Sequence, residues 1–248
     1  MLKEDRLNLI LEQVHKDQKV LLPELSARLQ VSEYTIRRDI KILSERGLLK
    51  AVRGGALAHS PVPLHFRDRQ HHDVGQKKIM AAKAIGFLQE GQVVFFDGGT
   101  SALAIAEAIP KDLKITAITN SFPVASVLED HPRAELIFAG GRLCKTSFTT
   151  TGHETLQLFN SVRADICFLG VCSIHPDAGV TVMDYEDALL KRALVNRSEK
   201  VIALATLEKL DTAEPYFVCP VKDLHGILTD AADNDLVLKY KAEGVRVI

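Results

Sequence analysis

The chain has 248 residues, of which 46% are hydrophobic and 25% are charged, and its formal net charge at pH 7 is −1. This composition is typical of a globular protein and excludes disordered, collagen-like and strongly charged classes. The length suits one large α/β domain or two unequal domains. No apolar run approaches the roughly 20 residues of a membrane helix, and the first turn mixes charged with apolar residues, so we expect a cytoplasmic protein with no membrane partner.

The charge is unevenly distributed along the chain. Residues 1–58 hold 11 Lys/Arg and 8 Asp/Glu, a net charge of +3, and the rest of the chain carries −4. Between these parts, Pro61 and Pro63 remove backbone donors and oppose helix formation. We therefore predict a basic domain over residues 1–57, a linker over 58–75 and a second domain over 76–248. A polyanionic partner would bind the first domain.

The basic domain begins with helical periodicity. Leu7, Ile10, Leu11 and Val14 recur at helical spacing, and a second, shorter helix is predicted where Leu22, Leu25 and Leu29 repeat that spacing. Pro23 suits the first turn of this second helix, where a backbone donor is not needed.

The helix predicted over residues 32–46 has two contrasting faces. It begins at Ser32, a good N-cap, and ends before Gly47, a good C-cap. Ile36, Ile40 and Leu43 form an apolar stripe, and an aromatic ring and three cations lie opposite. Such a face fits the DNA major groove, where arginine bonds bidentately to guanine. The candidate DNA contacts are Ser32, Glu33, Tyr34, Thr35, Arg37, Arg38 and Lys41.

A solvated cationic helix face is the alternative, and the neighbouring segments argue against it. The three-residue turn from Gln30 to Ser32 has the spacing of a helix-turn-helix, with the second helix as the reader. The segment GLLKAVRGGA then predicts a short strand and a tight turn at Gly54-Gly55. Arg53 beside that turn is a further candidate DNA contact, on the wing of a winged helix.

The second domain alternates short apolar strands with helices. Continuous apolar strands separated by helices indicate a mostly parallel sheet covered on both faces, which is a doubly wound α/β domain. The predicted strands are 93–96, 115–119, 135–139, 165–171, 200–205, 226–230 and 245–248. The predicted helices are 76–89, 101–109, 122–129, 152–159 and 184–197.

Polar turns follow four of these strands and predict a binding crevice. The strand VVFF runs into Asp97, Gly98, Gly99, Thr100 and Ser101, where glycine amides and a helix N-terminus suit an anion such as phosphate. Further polar turns lie at Thr119, Asn120 and Ser121, at Gly140 and Gly141, and at Gly170. Loops at the carboxyl ends of strands converge in open α/β sheets, whereas ordinary capped turns are the alternative at each position.

Lys191 lies in the last predicted helix, four residues after Asp187. This spacing allows a solvated salt bridge within the helix, which is the simplest interpretation of both charges.

The cysteine and histidine spacings do not indicate a metal site. Cys144, Cys167, Cys172 and Cys219 form no CxxC pair, and we expect buried free thiols over a zinc or redox site. No HExxH or comparable histidine pair occurs, so we predict neither a metal nor a cofactor.

The segment ELSARLQVSEYTIRRDIKILSERGLLKAVRGGA (24–56) resembles the signature of the DeoR family of bacterial transcriptional regulators, in which TIRRD is the most specific part. Two positions differ from the family pattern, Ala51 for Arg and Arg53 for His. The resemblance extends over residues 76–248, where an acidic pair followed by Ala and then Lys191 is similar to a family motif at the effector pocket. Lys209 is similarly placed to a second motif lysine, although Thr206 replaces that motif's Asp.

The resemblance implies a DNA-binding repressor of a carbohydrate-catabolism operon, controlled by a phosphorylated sugar. It also implies that the second domain shares the sugar-phosphate isomerase fold without necessarily sharing its chemistry. We predict that phosphate binds at Asp97–Ser101 with Lys191 as the cation, while Thr119, Asn120 and Gly141 line the sugar side. Ser121 and Gly140 complete the predicted set, and Asp97 would accept sugar hydroxyls.

Two alternatives belong to other classes. An isomerase or deaminase would use Lys191, Glu186 or Asp97 as acid–base groups, and a winged-helix adaptor for other proteins would show no salt-dependent DNA affinity. The exposed cationic face favours the regulator, because an isomerase does not need it. One small winged helix makes few DNA contacts, so we predict a homodimer or tetramer on double-stranded operator DNA.

Overall fold

The chain folds into two structural units that follow one another in sequence, called the N-terminal body and the second body below. The computed structural model describes residues 2–17, 19–45, 48–58, 62, 65–231, 234–242 and 244–248. The N-terminal body contains, in chain order, α1 (Lys3–Asp17), β1 (Lys19–Leu21), α2 (Leu22–Leu29), α3 (Glu33–Glu45), β2 (Lys50–Val52) and β3 (Gly55–Leu57).

Local sequence signals define the helix-turn-helix. Pro23 lies in the first turn of α2, and Gln30 ends that helix in the left-handed conformation at φ 53°. The hydroxyl of Ser32 accepts a hydrogen bond from the Thr35 N–H at 3.2 Å, as an N-cap does. Gly47 lies outside the described residues. The predicted helices and their three-residue turn are confirmed.

The N-terminal core is formed by the predicted apolar stripes. Leu7, Ile10 and Val14 of α1 are buried against Ile36 and Leu43 of α3 in one cluster. Burying these side chains fixes the opposite face of α3 toward solvent.

The wing is a three-stranded antiparallel sheet in the order β1-β3-β2. Gly54 makes the turn between β2 and β3 at φ 87°. A Cβ atom on Gly55 would lie 1.9 Å from the carbonyl oxygen of Val20, so a larger residue would push β1 and β3 apart. The predicted strand and glycine turn therefore form a wing beside α3.

The second body contains seven helices and eleven strands within the described residues. They are α4 (Phe66–His71), α5 (Val74–Ile85), β4 (Val93–Phe96), α6 (Thr100–Ala108), β5 (Ile115–Thr119), α7 (Phe122–Leu128), β6 (Ala134–Phe138), β7 (Arg142–Cys144), β8 (Thr149–Thr151), α8 (His153–Ser161), β9 (Ala164–Gly170), β10 (Ser173–His175), β11 (Gly179–Val182), α9 (Tyr185–Asn196), β12 (Ser198–Leu204), β13 (Tyr216–Cys219), β14 (Gly226–Leu228) and α10 (Asp235–Ala242).

The main sheet has six parallel strands in the order β14-β12-β9-β4-β5-β6. The chain starts at β4, adds β5 and β6 on one side, and then adds β9, β12 and β14 on the other. The strand order therefore reverses between β4 and β9. A ligand crevice is expected beyond the carboxyl ends of the strands at this reversal.

Hydrophobic layers cover both faces of the sheet. On one face, Phe95 packs in a cluster with Phe159 of α8 and with buried residues of α9 and α10. On the other, Phe96 packs against Phe168 in a cluster with residues of α5, α6 and α7. Adjacent strand residues thus enter opposite layers, which explains the continuous apolar strands and confirms the predicted doubly wound α/β class.

The structure corrects several sequence-based boundaries. A short helix, α4, lies within the predicted linker because Phe66 is buried on the second body, whereas Pro61 and Pro63 lie outside the described residues. Residues 245–248 form only an isolated bridge, Ile227 to Val247, instead of a strand. The short antiparallel strands β1, β7, β8, β10, β11 and β13 were not predicted from the sequence. Within the described residues, no helix is long and apolar enough to cross a membrane.

Candidate functional site

The predicted DNA-reading face lies on the outer side of α3. Tyr34 is 78% exposed, and Arg37, Arg38 and Lys41 are also exposed. Glu33 is exposed at the start of the helix, while Ser32 and Thr35 share a hydroxyl contact of 2.9 Å at its cap. The fold therefore presents the cations of one continuous segment to solvent.

The wing extends this cationic surface. A groove of about 400 Å³ lies between α3 and the wing, and its lining includes Arg37, Lys41 and Arg53. Three cations on a groove of this kind suit phosphate groups of DNA, which contribute most of the salt-dependent affinity.

A cavity of about 370 Å³ lies at the reversal point of the main sheet. Its volume is in the range of small-molecule sites. The residues that line it come from helices, strands and loops distributed between residues 62 and 214. They are Val62, Arg69, Gly98, Gly99, Thr100, Ser101, Ala102, Cys144, Thr146, Ser147, Thr149, Thr151, Gly170, Val171, Cys172, Met183, Asp184, Asp187, Lys191, Leu204, Lys209 and Glu214.

The glycine loop after β4 forms one wall of the cavity. The N-cap of α6 is Gly99, at φ 125°, so no side chain caps this helix. The N–H groups of the first helical turn have no partner within a helix and carry partial positive charge. Gly98 approaches the β8 strand closely, because an added Cβ would lie 2.2 Å from Cγ2 of Thr149. The predicted loop thus offers backbone donors to an anion in the cavity.

Lys191 and Asp97 form a buried ion pair beneath the cavity. Lys191 is 4% exposed, and its ammonium group donates to Asp97 and lies 3.3 Å from Asp187. Burial alone would lower the pKa of Lys191, but Asp187 and Asp97 outweigh it and raise that pKa. Burial raises the pKa of Asp187 to about 6, although Lys191 opposes the shift. The helix ion pair considered from the sequence is present, but its Lys191 end is buried instead of solvated.

The carboxylate of Asp97 is occupied by protein donors. It accepts hydrogen bonds from the N–H of Gly98 at 2.7 Å and of Gly170 at 2.9 Å, in addition to Lys191. Asp97 is 1% exposed and is absent from the residues lining the cavity. Its geometry is that of a residue that positions Lys191 and joins the loops after β4 and β9.

The loops after β5 and β6 do not line the cavity, because a β-hairpin covers them. The N–H of Thr150 in β8 bonds to the Asn120 carbonyl at 2.8 Å, and Thr155 donates to the Gly140 carbonyl at 2.7 Å. Ser121 caps α7 through Val124. Like Asp97, five further predicted residues are absent from the cavity lining, which are Thr119, Asn120, Ser121, Gly140 and Gly141.

Asn120 keeps one feature of a binding residue. Its side-chain amide donates to the Thr150 carbonyl at 2.9 Å, but its buried Oδ1 atom has no hydrogen-bond partner in the part of the chain that the structure describes. The binding role of these five residues stays a prediction.

Two cations that line the cavity were not in the predicted binding set. Arg69 projects from α4, inside the predicted linker, and Lys209 ends a short 3₁₀ helix at Leu207–Lys209. Burial lowers the pKa of Arg69 and lowers that of Lys209 to about 8. Only the family resemblance pointed to Lys209, and Arg69 carried no local signal because its helix lies beside two prolines.

The end of α4 is joined to the helix of Lys209. The Nε2 atom of His72 lies 2.6 Å from Oε1 of Glu208 and 3.3 Å from Oδ2 of Asp73. These three side chains bring potential metal ligands within 4.8 Å of one another. The ammonium of Lys77 donates nearby to the carbonyls of Arg69 and His72. The cluster therefore links α4 to the cavity wall. The expected absence of a metal stays a prediction.

The thiols divide into two groups. Cys167 and Cys219 are buried, as expected, whereas Cys144 and Cys172 are half-buried and line the cavity. All four are free.

Family comparisons match both bodies of the chain. The model of the DeoR-like helix-turn-helix domain matches residues 6–62, and that of the DeoR C-terminal sensor domain matches residues 72–231. The chain belongs to the DeoR family. The second body is therefore called the sensor domain below.

The DeoR-family relatives are named as regulators. The HTH-type transcriptional regulator GolR of Listeria innocua is 30% identical over 98% of this chain and 97% of its own length. The glycerol-3-phosphate regulon repressor of Escherichia coli is 29% identical over 93% and 92%. The prediction of a DNA-binding transcriptional regulator is confirmed, and the isomerase alternative is not retained.

A solved structure of ribose 5-phosphate isomerase A from Methanocaldococcus jannaschii matches with a TM-score of 0.40 and 14% identity. The match covers 54% of this chain and 53% of the isomerase chain. The predicted likeness to the isomerase fold stays a prediction.

Proposed function

We propose that this DeoR-family regulator represses a carbohydrate-catabolism operon and that a phosphorylated sugar in the cavity changes its affinity for operator DNA. The observation that carries the proposal is the cavity wall at Gly98–Ala102, where an uncapped helix N-terminus lies in the same cavity as Arg69 and Lys209. Backbone donors and cations around one small volume suit a phosphate group.

The remaining walls suit the rest of a small sugar derivative. Val171, Met183 and Leu204 offer apolar contacts, while Glu214 and Asp187 offer carboxylate oxygens to hydroxyl groups. Cavities of this composition bind small ligands through apolar contact and a few well-placed polar groups. The name of the glycerol-3-phosphate regulon repressor supports a phosphorylated effector.

The proposed effector contacts differ in part from the set predicted from the sequence. The phosphate would lie on the amides of Gly99–Ser101 and the hydroxyls of Thr100 and Ser101, with Lys209 and Arg69 as cations, because the Gly98 amide already donates to Asp97. Lys191 lines the cavity and would hold the loop of Asp97 in place, because two carboxylates already neutralise its charge. Asn120 stays a candidate effector contact, because its buried Oδ1 atom has no hydrogen-bond partner among the described residues.

The α3 helix would read the operator, with Arg37 and Arg38 toward base edges and Lys41 and Arg53 toward phosphates. We propose a homodimer or tetramer on repeated half-sites, because one winged helix makes few contacts. The regulator would act in the cytoplasm, where its operator lies.

A two-stage experiment tests this function. A panel of pentose and hexose monophosphates is first screened by thermal unfolding, because a ligand at ~100 times its dissociation constant adds ~2.7 kcal/mol to the free energy of unfolding. Operator affinity is then measured by fluorescence anisotropy, with and without the stabilising panel member, on a duplex selected in vitro. If no panel member stabilises the protein, the assignment of the cavity as the effector site is wrong. If duplex binding does not depend on salt, the assignment of α3 as the DNA-reading helix is wrong.

A further inference from the structure

Glu214 connects the cavity to the DNA-binding domain through its two chain neighbours. Its side chain lines the cavity and is 2% exposed. The N–H of Ala213 bonds to the carbonyl of Ala58, directly after the wing strand β3, at 3.1 Å. The carbonyl of Pro215 accepts a hydrogen bond from the ammonium of Lys50, at the start of β2, at 3.1 Å.

The segment before Glu214 is anchored by side chains. Asp211 adopts φ 59°, and its N–H bonds to the hydroxyl of Tyr240 at 2.9 Å. The hydroxyl of Thr212 lies 2.8 Å from Ser173 Oγ and 3.0 Å from the carbonyl of Lys209, a cavity residue. Because these bonds fix the segment on the Lys209 side, local distortion there does not readily absorb a movement of Glu214.

Glu214 is itself held by groups that a ligand would disturb. Its carboxylate accepts a hydrogen bond from Ser173 at 3.3 Å, and its N–H bonds to Thr181 Oγ1 at 2.8 Å. A phosphorylated ligand brings negative charge and hydroxyl donors into the same cavity. The negative charge repels the buried Glu214 carboxylate, and the hydroxyl donors compete with Ser173 for that carboxylate.

We propose that Glu214 senses the occupant of the cavity and that residues 213–215 transmit the change to the wing through Ala58 and Lys50. This inference rests on the proposed function, because it requires a ligand in the cavity. An occupied cavity would shift the Glu214 carboxylate, and its neighbours would carry the shift into β2 and β3. Ligand and operator would then alter each other's affinity by the same factor, typically about 5–150-fold.

The test compares the contact that residues 213–215 make with the wing to another contact between the same two domains. Lys50→Met removes the donor to Pro215 and leaves the cavity lining intact. Lys19→Met is the matched control, since it removes one positive charge from the same domain and breaks a different contact, the 3.6 Å ion pair with Asp177. Full-length wild type and both variants are titrated with the selected duplex, with and without the pentose or hexose monophosphate that most stabilises the wild type.

The readout is the ratio of duplex dissociation constants with and without the sugar phosphate. We expect the dissociation constant of Lys50→Met for the sugar phosphate to stay within twofold of the wild-type value. Its ratio of duplex dissociation constants should be at least threefold closer to one than the wild-type ratio. Lys19→Met should keep the wild-type ratio. Isothermal titration of the sugar phosphate, with and without duplex, must give the same ratio for each protein.

The outcomes distinguish the two proposals. A wild-type ratio in Lys50→Met, or an equal loss in Lys19→Met, would overturn the role of residues 213–215 and leave the effector cavity standing. If no panel member binds the wild-type protein, the proposed function fails, and the inference fails with it.

Discussion

The DNA-reading surface and the effector cavity are built in opposite ways. The 13 residues of α3 supply most of the reading face, and its cations lie in solvent. The cavity draws on residues from Val62 to Glu214, and the ion pair beneath it, Lys191 with Asp97, is buried. Charges on the first surface are therefore separable from folding, whereas charges at the second also hold the fold together.

The largest effect expected from this difference is on stability. Lys191→Ala leaves Asp97 buried without its cation, and breaking a buried pair in this way costs ~3–5 kcal/mol. Lys41→Ala breaks an exposed pair with Glu45, which contributes ~0–1 kcal/mol. Urea unfolding of both variants measures the contrast, and equal free energies of unfolding would remove the distinction between the two regions.

DNA affinity should change without loss of stability when the reading face is altered. Each of Arg37→Ala and Arg38→Ala should cost ~1–3 kcal/mol in operator binding if its guanidinium contacts a base edge. Lys111→Ala, an exposed change on the sensor domain, is the control for lost charge. Anisotropy on the selected duplex measures affinity, and circular dichroism melting checks folding. Wild-type affinity in the double arginine variant would rule out α3 as the reader.

Two glycines test which loops form the cavity. Gly98→Ala places a methyl group 2.2 Å from Thr149, so we expect a loss of ~1–3 kcal/mol in stability together with weaker sugar-phosphate binding. Gly140→Ala meets nothing within 4 Å and should leave both quantities unchanged. Thermal unfolding and isothermal titration measure the pair. Weaker binding in Gly140→Ala would restore the loop after β6 to the site.

The smallest effect is a pH dependence at Lys209. Burial lowers the pKa of this amine to about 8, so it is charged below that pH and progressively neutral above it. Sugar-phosphate affinity should therefore fall from pH 8 to 9, by up to about fivefold, as the charged fraction of the amine drops from about one half to about one tenth. Lys209→Arg keeps its charge and should flatten the profile. An unchanged slope in that variant would show that another group titrates.

Local sequence determined the winged helix. Ser32, the stripe of Ile36, Ile40 and Leu43, and the Gly54-Gly55 turn act over spans of a few residues, so periodicity and capping were enough to predict helix, face and wing. The strands β4 and β5 and the turn at Asp97–Ser101 were predicted for the same reason. Their boundaries are marked by apolar runs and glycines within each segment.

Only the tertiary structure decided the composition of the cavity. Thr119 ends β5 and Gly140 follows β6, as predicted, but the β7–β8 hairpin covers their loops and places Thr149 and Thr151 at the cavity instead. The run Thr149-Thr150-Thr151, rich in β-branched residues, was the one signal of that hairpin. Arg69 and Glu214 reach the cavity from segments about 145 positions apart in the printed sequence. Such convergence depends on strand order and packing. The carboxyl ends of neighbouring strands meet in space, however far apart the strands lie in the sequence.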